Sequence, residues 1–164
     1  MNQIILVSFL LALLFVDVSL ACWGKSSKYL KAGYYPENSF CWTMNGYHAT
    51  FNGGNLVQQR DAPHQTLVFN SEVASSTGNV LAVLNGDVQI LDSNHNKLWH
   101  TNTGYLNQEV GFGFNHIDGF MVMAGCNKGE PRCIHLPRFL GKYWGYYVAW
   151  KSCVEGPCYG SSMG

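Results

Sequence analysis

Apolar and polar residues alternate along this chain in short runs, with no sustained period of 3.6. The runs "YHATF", "NLVQQ", "TLVFN", "VLAVL", "DVQIL", "KLWHT", "FMVMA" and "YYVAW" are separated by Gly, Asn and Asp. Alternation places successive side chains on opposite faces of an extended backbone, so these runs predict strands. Turn pairs sit beside them, "NG" at 45–46 and 85–86 and "DG" at 118–119, the residues that tight hairpins require. No window offers a capped amphipathic stripe. The pattern predicts an all-β protein.

A weak internal repeat sets the expected architecture. "GGNLVQQ", "NGDVQIL" and "DGFMVMA" align on Gly54, Gly86 and Gly119, spaced by 32 and 33 residues. Downstream, "TLVFNS" and "KLWHTN" align at a spacing of 31, and the third copy closes on "AWKSC". Trp150 follows Trp99 by 51 residues, which implies an insertion of about 18 residues housing Cys126 and Cys133. The copies span about 44–72, 78–105 and 110–153. One such unit cannot bury its own apolar face, so three antiparallel sheets are expected around a shared core, with Trp99 and Trp150 inside.

The first residues bear on compartment. "IILVSFLLALLFV" has the length of a signal-peptide h-region, and Ser19 and Ala21 precede Cys22 as small cleavage-site residues. The run is too short to favour a membrane span. Residues 1–21 are therefore expected to be a secretory signal peptide, leaving residues 22–164 as one extracellular domain. A lipid-anchored Cys22 is the competing reading, weakened by Ser19 where a larger aliphatic residue is usual. With Asp17 removed, ten basic residues face nine acidic ones. No basic patch stands out to suggest nucleic acid as a partner.

Cysteines Cys22, Cys41, Cys126, Cys133, Cys153 and Cys158 are even in number and all follow the leader, which reads as three disulfides with fifteen connectivities. Local closure would join Cys126 to Cys133 and Cys153 to Cys158, leaving Cys22 for Cys41. Charged residues are 12% of the chain, about half the usual share, so the surface must be built from Asn, Gly, Ser, Thr and Tyr. No N-x-Ser/Thr sequon is present, and N-glycosylation is not expected.

The block "MNGYHATFNGGNLVQQ…TLVFNS…GNVLAVLNGDVQILDSNHNKLWHTNT" resembles the bulb-type (monocot mannose-binding) lectin domain, whose phrase "dGNLVlyd…lWsTnT" recurs in three subdomains. The resemblance covers about residues 30–125. It implies a β-prism of three sheets related by a pseudo-threefold axis, non-catalytic glycan binding of the mannose type, no cofactor, and room for a homo-oligomer. The family's strand Q-x-D-x-N-x-V-x-Y aligns a row of hydroxyl-binding groups beside one apolar contact. Matching positions are Asn55 and Val57 in the first copy and Asp118 and Val122 in the third. The second copy has the altered polar row Asn85, Asp87 and Gln89. These seven residues are the carbohydrate-binding candidates. The bland reading of the row is the wet side of a half-buried strand, and the alternative function is a lectin-like structural, adhesive or protein-binding role.

Other chemistry is weakly signalled. "GSSMG" at 160–164 fits a nucleophile motif but lacks the strand before it and helix after it. The six histidines show no metal-ligand spacing, and no pair of acids is matched as in a glycosidase. An enzyme is not expected. The aromatic run Tyr143, Trp144, Tyr146, Tyr147 and Trp150 suits either a sugar platform or a strand with one face in the core.

Overall fold

A computed structural model describes residues 28–61, 66–74 and 78–153. Thirteen strands run in chain order: β1 (Tyr29–Leu30), β2 (Gly33–Pro36), β3 (Cys41–Met44), β4 (Tyr47–Asn52), β5 (Asn55–Arg60), β6 (Leu67–Asn70), β7 (Val80–Val83), β8 (Val88–Leu91), β9 (Lys97–His100), β10 (Val110–Asn115), β11 (Gly119–Cys126), β12 (Ile134–Phe139) and β13 (Tyr143–Lys151). The all-β expectation holds. The strands form three sheets, ordered β3-β4-β5-β6, β2-β7-β8-β9 and β1-β10-β11-β13-β12, with every pairing antiparallel.

Each sheet contains one sequence repeat. The short strands before the repeats are dealt out to the other two sheets, β1 to the third and β2 to the second. Inward residues from all three sheets form one apolar cluster, including Phe51 and Leu56, Leu81 and Ile90, and Phe112, Phe120 and Val122. Trp99 and Trp150 are half-buried against it and meet edge-to-face at 5.7 Å. They line the margin of the core, where each indole keeps an accessible edge.

The hairpin register corrects the repeat alignment. Asn52 faces Asn55 across a two-residue turn, and Leu84 and Asp87 exchange hydrogen bonds across another. In the third sheet Asn115 faces Gly119 across three residues. The extra residue is held by Asn115 Oδ1, which accepts from the N–H groups of Ile117 and Asp118. Gly119 therefore occupies the place of Asn55 and Asp87, at a constant spacing of 32, and not that of Gly54 and Gly86. Likewise Phe69 faces Gln58 and Trp99 faces Ile90, which makes the downstream spacing 30, not 31.

The expected insertion is β12 and its flanking loops, which add an edge strand to β13. Its Pro137 and left-handed Arg138 (φ 56°) suit an edge, where a missing donor is tolerated. Cys126 and Cys133 are bonded as expected, with Cα atoms 5.9 Å apart. Cys41 and Cys153 are also disulfide-bonded. Their expected partners, Cys22 and Cys158, lie outside the described residues, as does the leader. Among the described residues no helix is long and apolar enough to cross a membrane.

Candidate functional site

The same clamp recurs at the start of the central strand of each sheet. In the first, the Leu56 N–H donates to Ser71 Oγ at 3.0 Å, and Asn55 Oδ1 accepts from Ser71 Oγ (3.1 Å) and the Val73 N–H (2.6 Å). In the second, the Val88 N–H donates to Thr101 Oγ1 at 3.2 Å, and Asp87 Oδ1 accepts from Thr101 Oγ1 (2.8 Å) and the Thr103 N–H (3.2 Å). In the third, the Phe120 N–H donates to Ser152 Oγ at 3.0 Å. Gly119 has no side chain to complete this clamp, and the Asp118 carbonyl accepts the Cys153 N–H instead, at 3.1 Å.

This arrangement redistributes the seven sugar-binding candidates. Asn55 is committed to the clamp. Asp87 is 6% exposed, so the row Asn85–Asp87–Gln89 does not share one outward face. Asn85 sits exposed in the hairpin turn, and Gln89 is half-buried on the strand. Asp118 accepts from Lys151 Nζ and Asn115 Nδ2, both at 3.0 Å. Val122 is fully buried in the core, because the register correction turns it inward beside Ile90. Val57 alone of the two candidate valines faces outward, half-buried.

The three outer faces differ sharply. On the third sheet, Gly111 and Gly113 alternate with inward Phe112 and Phe114. A Cβ on either glycine would run into the Phe139 ring or Met123 Cε. These gaps admit a second apolar cluster of Met121, Met123 and Phe139, flanked by Tyr29, Tyr143 and Tyr146. The insertion thereby covers the face on which the third sugar row would lie.

The first sheet keeps an open face with Val57 opposite both Thr50 and Asn70. Beside it, His48 bonds Asp61 Oδ1 through Nδ1 (2.7 Å) and Gln59 Oε1 through Nε2 (3.0 Å). Both ring nitrogens are thus committed within the protein.

The second sheet carries the most complete row. Tyr34 faces Ala82, Ala82 faces Gln89, and Gln89 faces His100, so four side chains cross β2, β7, β8 and β9 on one side; Ala82 is fully buried, and the accessible groups are Tyr34 at one end and Gln89 and His100 at the other. Cross-strand partners lie on the same face, and at about 4.8 Å per strand the row is about 14 Å wide. Tyr34 is 58% exposed and stands edge-on to His95.

Under the other end lies Asp87. Its Oδ2 accepts from Gln89 Nε2 at 3.1 Å and from His100 Nδ1 at 3.3 Å. Burial alone would raise this carboxyl. Hydrogen bonds from Gln89, Thr101 and Thr103, with the charge of His100, outweigh it and hold the group below the ordinary carboxylate range. With Nδ1 donating inward, Nε2 is an acceptor in the neutral form of the imidazole and a donor in the charged form, and Gln89 keeps Oε1 as an acceptor. An exposed ring at one end and two oriented acceptors at the other can receive hydroxyl donors beside an apolar sugar face.

Neither Tyr34 nor His100 was a sequence candidate. Their signal is cross-strand register, because Tyr34 lies 55 residues before Gln89 in the chain. Among the described residues no group of three or more His, Cys, Asp or Glu side chains is placed to hold a metal. Compared with family models, curated proteins and solved structures, the chain matches none.

Proposed function

We propose that this chain is a secreted, non-catalytic glycan-binding protein of the bulb-type lectin kind, its three sheets arranged as a β-prism. Three repeats, one per sheet, with the clamp at equivalent positions and a shared core, support the architecture. By resemblance the ligand is a mannose-type glycan. The binding face is the outer side of the second sheet, with Tyr34 packing on the sugar ring and Gln89 and His100 accepting from its hydroxyls. Asp87 is a positioning residue. The observation that carries this reading is the single Asp87 oxygen that holds both Gln89 and His100 in place.

A glycan array probed with residues 22–164 provides the ligand, and titration of the best hit tests the site. Gln89→Ala and Tyr34→Ala should each weaken that interaction about tenfold or more, the usual worth of one buried polar or stacking contact, with melting temperature unchanged in Tyr34→Ala and only slightly lowered in Gln89→Ala, which gives up one hydrogen bond to Asp87. Wild-type affinity in both variants would move the site off this sheet. If no glycan on the array binds the wild-type chain, the adhesive or protein-binding role replaces this reading.

A further inference from the structure

A cleft of about 450 Å³ opens where four separate segments meet: the 3-10 turn Gly104–Leu106, the loop 127–133, β12 and β13. Tyr105, Leu106, Arg132, Ile134 and Tyr147 form its walls. Its size falls within the range of small-ligand sites.

Three wall residues bear on the cleft's chemistry. Tyr105 is 76% exposed, the most exposed large apolar side chain among the described residues. Tyr147 lines the same cleft, and burial, then the charges of Tyr105 and Glu130, push its hydroxyl above its ordinary range. Arg132 is the cleft's one charged wall residue. It adopts a left-handed backbone (φ 64°), which is strained for a non-glycine residue. The conformation is held next door, where Cys133 is bonded to Cys126 on the buried strand β11.

A guanidinium and two tyrosines lining one cleft match one ligand chemistry well. Guanidinium groups pair with carboxylates through two parallel hydrogen bonds, and aromatic rings pack on the apolar C–H face of a pyranose. The favoured ligand therefore carries one carboxylate, presented to Arg132.

We propose that this cleft is a second sugar site, selective for a carboxylate-bearing pyranose of the uronic acid type, with Arg132 on the carboxylate and Tyr105 and Tyr147 on the ring. It goes beyond the second-sheet face and does not depend on it, since the two sites share no side chain.

The test is calorimetric titration of residues 22–164 with methyl glucuronide and, in parallel, with methyl glucoside, which differs at the carboxylate alone. The glucuronide should bind about tenfold more tightly or better. Arg132→Gln should abolish that preference, and Arg132→Lys should restore it in part, keeping the charge without the fork. Tyr105→Ala should weaken both sugars. Gln89→Ala should leave the preference intact, which separates failure here from failure on the second sheet. Equal binding of the two sugars, a preference that survives Arg132→Gln, or no glucuronide binding at all would overturn the proposal.

Discussion

At Asp87, one carboxylate ties a hairpin turn to the segment after β9 and fixes two outward side chains. Alternation predicts an exposed acid there, whose removal would change stability by about 0.5 kcal/mol. Its actual burial means that cutting the side chain back removes the acceptor of the Thr103 N–H, Thr101 Oγ1 and Gln89 Nε2, of which Thr101 Oγ1 can still donate to Thr103 Oγ1. Asp87→Ala should therefore lower unfolding stability by about 3 kcal/mol, read from urea midpoints, and should weaken glycan binding through disordered Gln89 and His100. The sequence did not reveal this role because Asp87 precedes the first residue of β8. There the chain leaves a turn, and strict alternation does not yet apply.

The same carboxylate predicts a pH response. Asp87 and Asp118 both titrate below their ordinary range. Burial opposes this, while Gln89, Thr101 and Thr103 lower the first and Asn115 and Lys151 lower the second. A group with a depressed folded-state pKa stabilises fully above its unfolded value, about 3.9 for Asp. That contribution is lost as pH falls from there through the lower folded value, because the unfolded chain takes up its protons first. Urea midpoints should hold near pH 5 and drop below about pH 4. The drop should be smaller in Asp87→Asn, and an identical drop in that variant would assign it to other groups.

At the scale of elements, the third repeat shows how one extra turn residue changes a strand's chemistry. The longer hairpin puts Gly119 (φ 74°) where the other copies have Asn55 and Asp87, and a Cβ there would collide with Ser152 Oγ. Gly119→Ala should cost at least about 2 kcal/mol by combining left-handed strain with overpacking, measured by thermal melting. Gly53 (φ 57°), in the first sheet's hairpin turn, has open space around it, so Gly53→Ala should show the strain alone and cost less.

The insertion was legible as a break in repeat length, and its disulfide followed from the short span between the two cysteines. Its covering of the third outer face was not legible, since that depends on Gly111 and Gly113 being gaps for Phe139 and Met123. Removing the bond with Cys126→Ser and Cys133→Ser should cost about 2–3 kcal/mol in the chain-entropy model, detectable as a lower urea midpoint.

Across the whole molecule, local pattern was enough for strands, turns and three sheets, because period 2 and "NG" or "DG" pairs are short-range signals. The proposed binding row was not, because Tyr34, Gln89 and His100 come onto one face through pairing between strands far apart in sequence. The clamp positions Asn55 and Asp87 looked like sugar ligands for the same reason: an amide or carboxylate beside a turn serves either purpose. The most direct test of the central claim is a nitrogen-15 chemical-shift titration of residues 22–164 with methyl α-mannoside. Saturable shifts confined to β2, β8 and β9 around Tyr34, Gln89 and His100 are the predicted result. Shifts confined to the first sheet around Thr50 and Val57, or no shift at any residue, would contradict it.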